Sequence, residues 1–296
     1  MPGHHHGTPR GVASYTELPS AEGIQAWEHV FLPGELRDAL LRRAVFTMRN
    51  RGRLAGMRSA LQGIFLFAGP PGTGKSTTAT ALAHRVAAEL SPEGTSALVR
   101  IDAHALPSSS LGESQQNVRE LLGRVIAEYT HRTDHVFVII DEVEAFAVRR
   151  SSASFETNPV DVHRATDAVL EGLDALLFAH PNLLFIMTTN FPDAVDEAVL
   201  SRVDVHVPFE LPDASQIAEI LSDTLDEYAR VWPALGALRD DRRRLAGVAE
   251  ACVGRSGREV RRIVLDAIVA RTETVADPGR LTVADLVSVA EGTGQR

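Results

Sequence analysis

The sequence predicts an α/β fold, with a parallel five-stranded sheet flanked by helices and a small all-helical domain after it. Three observations carry this. Five short apolar runs alternate with amphipathic stretches between Ile64 and Phe209. Runs that lack polar alternation and are spaced by helices belong to a parallel sheet covered on both faces. The first run leads into a glycine-rich segment, GPPGTGKST (69–77), and then into a helical pattern. Past Pro212 the strand runs stop and only helical periodicity remains.

The elements follow in chain order. Residues 1–22 are rich in Gly, Pro and Ser and read as a disordered leader. The three histidines there fit a floppy leader or a cloning remnant better than a metal site. Residues 35–58 read as a helix and a basic turn, and Arg37, Arg42, Arg43, Arg49, Arg51, Arg53 and Arg58 are taken as its solvated face ahead of a site for an acidic partner. The strand runs are IFLFA (64–68), ALVRI (97–101), VFVII (136–140), LLFIM (183–187) and VHVPF (205–209). Amphipathic helices fill 75–90, 114–130 and 161–178, and four more are expected at 213–229, 241–252, 257–271 and 282–291. The expected division is a large α/β domain over 23–211 and a helical lid over 212–296.

Bulk properties narrow the function. No apolar run approaches the ~18 residues of a membrane span, and the N-terminal segment has no apolar core of a secretory signal. No membrane partner is therefore expected. The net charge of −9 argues against a nucleic-acid-binding surface. Cys252 is the sole cysteine, which rules out an internal disulfide and fits a reducing cytoplasm; its apolar setting reads as a buried structural thiol. Of 30 Lys and Arg residues only Lys75 is lysine, leaving 29 arginines. The exception lies inside the glycine-rich motif, where a flexible ammonium fits and a planar guanidinium does not.

That motif fits G-x-x-x-x-G-K-[ST] in its strand–loop–helix setting. Gly69, Pro70, Pro71, Gly72, Thr73, Gly74, Lys75, Ser76 and Thr77 are the expected ATP-binding residues. The glycines bring backbone N–H groups to the phosphates, Lys75 reaches the terminal phosphates, and Ser76 offers its hydroxyl to Mg²⁺. VFVIIDEVEAF places Asp141 at the carboxyl edge of the sheet, where it holds the Mg²⁺ shell through water. Glu142 is expected to polarise the attacking water, with Glu144 its lower-ranked rival. Asn190 ends FIMTTN and is suited to orienting that water. Arg202, in SRVDV, is read as a finger reaching a neighbouring subunit's ATP, against the plainer reading of a surface arginine paired with Asp204. Arg258 opens a lid helix and is expected over the phosphates, with Arg261 and Arg262 as competitors.

This order of motifs resembles the AAA+ ATPases over about residues 24–290, and within them the pachytene-checkpoint family most closely. AWEHVFLPGELRDALL (26–41), DAHALPSSSLGES (102–114), DEVEAFAVRR, PVDVHRATDAVLEGLD (159–174), SRVDV and SGREVRRI carry the likeness. The resemblance implies a homo-hexamer that threads a peptide through its pore and opens HORMA-domain clients. It also implies ATP and Mg²⁺ as cofactors, Arg164 and Arg202 at the subunit interface, and Ser110, Leu111 and Gly112 in the substrate-gripping loop. The family has an aromatic pair where this sequence has Ser110 and Leu111, so the grip offers less contact area. A second pore-facing loop is expected at 149–159, with Phe155 read equally as a substrate contact or as an anchor on the subunit's own surface. Only about 25 residues precede the ATPase core, which resembles the short bacterial form associated with antiviral nucleotide signalling, a HORMA protein and a nucleotidyltransferase. Other readings keep the motor and change the client (a rubisco-activase-like or protease-associated unfoldase), remove turnover (a nucleotide-gated scaffold), or turn to DNA (a clamp loader or initiator).

Overall fold

The computed structural model of the chain describes Pro9, residues 11–57, 60–103, Gln116, and residues 120–145 and 159–292, with only the backbone for 159–165. The strands are β1 (Val12–Leu18), β2 (Ile64–Ala68), β3 (Ser96–Ile101), β4 (His135–Ile140), β5 (Leu183–Thr189) and β6 (Val205–Pro208). They form one sheet in the order β1-β3-β4-β5-β2-β6. The helices are α1 (Ala21–Glu28), α2 (Gly34–Leu54), α3 (Lys75–Leu90), α4 (Ala127–Arg132), α5 (Pro159–Ala179), α6 (Glu197–Leu200), α7 (Ala214–Ala229), α8 (Gly236–Asp240), α9 (Arg242–Ala251), α10 (Gly257–Val269), α11 (Thr272–Ala276) and α12 (Val283–Gly292).

Among the described residues the sheet has six strands, not five. All neighbours pair in parallel except β1, which lies antiparallel on β3 with Tyr15 opposite Val99 and Leu18 opposite Ser96. Residues 12–18, expected in a disordered leader, are therefore an edge strand, and 21–28 form a helix. The strand escapes sequence reading because its centre is exposed and polar, with burial only at Val12 and Leu18. Tyr15 anchors it by stacking on Tyr129, ring centroids 5.1 Å apart.

The parallel strands are buried on both faces, as their unbroken apolar runs require. Leu66, Val138, Ile140, Phe185 and Met187 on one face pack with Leu122 and Ile126 of a π-helical turn (Leu121–Ile126) and with Leu170 and Leu173 of α5. The alternate residues, among them Phe67, Phe137 and Ile139, are also fully buried, and α3 contacts β2, β3, β4 and β5.

The described residues divide into two compact units. One runs up to Gly69 and from Lys75 to Pro208; the other comprises Pro70–Gly74 and the chain from Phe209 onward. The second unit thus starts at Phe209 instead of 212 and includes the tip of the glycine-rich loop. Its body is helical: α7 packs on α9 and α10, and both of these pack on α12. Ile217, Leu221, Leu245, Val248, Val260, Val264 and Leu286 form its core. Two capping boxes fix the helix starts, Asp213 with Gln216 at α7 and Ser256 with Glu259 at α10. Cys252 is fully buried at the end of α9, and burial pushes its thiol pKa up. No described helix is long and apolar enough to cross a membrane.

Candidate functional site

The carboxyl ends of β2, β4 and β5 bring the site together. β2 ends at Ala68, and the Gly69 N–H donates to the Thr189 carbonyl at 3.2 Å, tying the loop's first residue to β5. Gly72 and Gly74 take positive φ, 78° and 93°, which only glycine adopts without strain. At Gly72 a side chain would also collide: a Cβ there would sit 2.7 Å from Ser256 Oγ. The Gly72 carbonyl accepts the Arg258 N–H at 3.2 Å, so within the second unit the start of α10 packs on the loop tip. Of the three lid arginines, Arg258 is the one placed there. Arg261 donates to Thr224 Oγ1 at 3.3 Å, and Arg262 faces Asp266 on its own helix.

Lys75 begins α3 and is only 6% exposed. Its ammonium donates to the Gly69 carbonyl at 2.7 Å, which seats it inside the curve of its own loop. The next residue, Ser76, donates its hydroxyl to Asp141 Oδ1 at 2.5 Å. Thr188 Oγ1 donates to the same oxygen at 2.9 Å and accepts the Glu142 N–H at 3.3 Å. The start of α3, β4 and β5 therefore meet at one carboxylate. The groups gathered there, a serine hydroxyl, a threonine hydroxyl and a carboxylate, are all oxygen donors. That set suits Mg²⁺, which takes one or two protein carboxylates or hydroxyls and completes its shell with phosphate and water.

Glu142 has φ +58°, the only non-glycine residue with positive φ among those described. A side chain in this region costs of order 1 kcal/mol or more and persists where the surroundings impose it, often at reactive sites. Asn190 Nδ2 donates to Glu142 Oε1 at 3.4 Å, so the two residues proposed to handle water face each other across β4 and β5. Glu144 takes a different place: its Oε1 accepts the backbone N–H of Asn190 at 3.1 Å, and its Oε2 is buried. It steadies the end of β5.

Arg202 is not paired with Asp204. Its Nε and Nη2 grip the Asp174 carboxylate of α5 at 2.9 and 2.8 Å, and Nη1 donates to the Ala198 carbonyl at 2.7 Å. The hydrogen bonds to Asp174 push its pKa further up. Asp204 instead accepts the backbone N–H groups of Gln62 and Gly63, at 3.0 and 2.6 Å, at the start of β2. Ser110, Leu111, Gly112, Phe155 and the side chain of Arg164 lie outside the described residues.

Thr188, Asp174 and Arg100 were not anticipated. Arg100 Nη1 donates to Asp141 Oδ2 at 2.9 Å. A signal for it existed. ALVRI carries one charge in a strand otherwise buried on both faces, close to the carboxyl edge, and such a charge needs a partner.

Comparison with known proteins fits this geometry. Residues 65–211 match the family model described as ATPase family associated with various cellular activities (AAA). The chain is 38% identical to CD-NTase-associated protein 6 of Pseudomonas aeruginosa over 280 residues, 95% of this chain and 91% of that protein. It is 28% identical to the Pachytene checkpoint protein 2 homolog of Danio rerio, over 90% of this chain and 68% of that one. The chain belongs to the pachytene-checkpoint family of AAA ATPases. It is accordingly an ATP hydrolase. Solved folds agree with this ATPase: C. elegans PCH-2 superposes with a TM-score of 0.74 at 21% identity, covering 98% of this chain and 76% of that one. A chain of the E. coli MS115-1 HORMA:CdnC:Trip13 complex gives 0.72 at 17% identity, with 95% of each chain covered.

Proposed function

We propose that this ATPase forms a homo-hexamer and uses Mg²⁺-dependent ATP hydrolysis to pull on a HORMA-domain protein that serves a nucleotidyltransferase in antiviral signalling. The observation that carries the hydrolytic half is the left-handed Glu142, held between the Thr188 hydroxyl and the Asn190 amide. In this reading Lys75 and the loop N–H groups hold the phosphates, while Ser76 and Asp141 hold the Mg²⁺ shell. The metal supplies charge neutralisation on the transferring phosphoryl group. Glu142 Oε1 takes the proton of the attacking water, and Asn190 orients that water from the other side. Arg258 stands over the loop, and Arg202 serves the site of the next subunit. The client half rests on likeness to CD-NTase-associated protein 6 and to the HORMA:CdnC:Trip13 assembly. Residence in a reducing cytoplasm fits the lone buried Cys252.

A trapping experiment tests both halves. Glu142→Gln keeps the shape and hydrogen-bonding reach of the side chain and removes its basicity. Turnover should fall by about 10²- to 10⁴-fold while ATP binding persists. With ATP, the variant should retain the HORMA protein encoded nearest to it on a column. Normal turnover in the variant removes Glu142 as the base, and failure to retain the client while other proteins bind redirects the client assignment.

A further inference from the structure

Arg100 sits on β3 among Ala97, Leu98, Val99 and Ile101, all buried, and lies in register with Ile139, two residues before Asp141. Its guanidinium is held at two points. Nη1 donates to Asp141 Oδ2 at 2.9 Å, and Nη2 donates to Thr80 Oγ1 on α3. The Thr80 hydroxyl is itself fixed, donating to the Ser76 carbonyl at 2.7 Å. Both oxygens of Asp141 are thus engaged: Oδ1 by Ser76 and Thr188, Oδ2 by Arg100.

Resting on the reading that Asp141 holds the Mg²⁺ shell, we propose that Arg100 is a positioning residue that sets the Mg²⁺ requirement for nucleotide loading. A guanidinium is a fixed cation. It orients the carboxylate and at the same time cancels part of the negative potential that draws a second cation to it. Asp141 therefore serves one fixed monovalent cation and one exchangeable divalent cation. The ion pair is partly solvent-exposed on both sides, so the competition is modest in size. Its consequence is a threshold: nucleotide is loaded tightly only once free Mg²⁺ outweighs the resident charge. Neither Ser76 nor Thr188, being neutral, imposes such a threshold.

The test is an equilibrium titration of Mg²⁺ against binding of a fluorescent ADP, which reads metal-assisted loading with no hydrolysis involved. Arg100→Gln should lower the half-saturating Mg²⁺ concentration about three- to tenfold, the size of a single-charge effect near solvent. In excess chelator nucleotide affinity should not rise, since removing a cation cannot favour the phosphates themselves. Arg100→Lys keeps the charge but not the forked reach to both Asp141 and Thr80, and should fall between the parent protein and Arg100→Gln. Thr80→Val releases only the second tether; it should shift the requirement the same way but less, and it carries the test if the Gln variant does not fold. An unchanged or raised Mg²⁺ requirement in Arg100→Gln or Thr80→Val, against a normal parent titration, overturns the role of Arg100 alone. A parent protein whose ADP binding ignores Mg²⁺ overturns the metal reading of Asp141 and this inference together.

Discussion

Glu142 shows how one residue's chemistry and backbone are set against each other. Its φ of +58° is a conformation that an L side chain enters at a cost, and glycine enters freely. Glu142→Gly should therefore raise stability by about 1 kcal/mol in denaturant unfolding while abolishing hydrolysis. Glu142→Ala, which keeps a Cβ, should lose hydrolysis without that gain. Equal stability in the two variants would show that the left-handed backbone stores no strain. The neighbouring acid illustrates the converse. Glu144 spends its carboxylate on the Asn190 backbone, so two glutamates in DEVE take different work through a turn of the chain, not through a difference in chemistry.

At the scale of elements, the end of the sheet opposite the site is held by charge as well as by packing. Arg51 of α2 is 4% exposed and donates to the carbonyls of Gln62 and Pro181, at 2.6 and 3.3 Å, and to that of His180. Burial pulls its pKa down to about 10, with Asp204 pulling the other way, so it stays charged at neutral pH. Asp204 takes the N–H groups of Gln62 and Gly63, so the entry to β2 is gripped from both polarities. This arginine is no part of a solvated face, contrary to the periodicity of α2. Arg51→Met preserves much of the apolar stem but strands three carbonyls, and a loss of about 2–4 kcal/mol is expected in urea unfolding. A change below about 0.5 kcal/mol would mean that those carbonyls find other donors.

At the scale of the whole molecule, the test of the finger needs two kinds of subunit. Within one chain, Asp174 and the Ala198 carbonyl occupy Arg202. Its proposed target is the neighbouring subunit's ATP. Arg202→Ala and Glu142→Gln should each be inactive alone. Mixed in equal amounts they should regain turnover, since about a quarter of the interfaces in a random ring pair an intact base with an intact finger. Phosphate release measured across mixing ratios checks this, and a mixture no more active than its parts confines Arg202 to its own subunit.

Much of this was legible beforehand, for identifiable reasons. The five parallel strands announced themselves because burial on both faces demands unbroken apolar runs. Lys75, Ser76, Asp141 and Asn190, which the structure gathers at the ends of β2, β4 and β5, stood out because their motifs lie along short stretches of chain. The capping boxes at Asp213 and Ser256 are equally local, yet they were found only in the structure. β1 was hidden because an edge strand exposes its centre, and Arg51 because helical periodicity does not reveal which carbonyls a long side chain reaches. The sequence by itself determined the class of fold, the nucleotide loop and the order of the residues proposed for catalysis, since each depends on neighbours in the chain. Only the tertiary structure decided that Glu142 is left-handed, that Glu144 serves Asn190, that Arg202 grips Asp174, and that Arg100 shares Asp141 with the loop that Lys75 anchors. Those pairings join residues far apart in the chain, and a guanidinium or carboxylate takes the partner that folding places within about 3 Å.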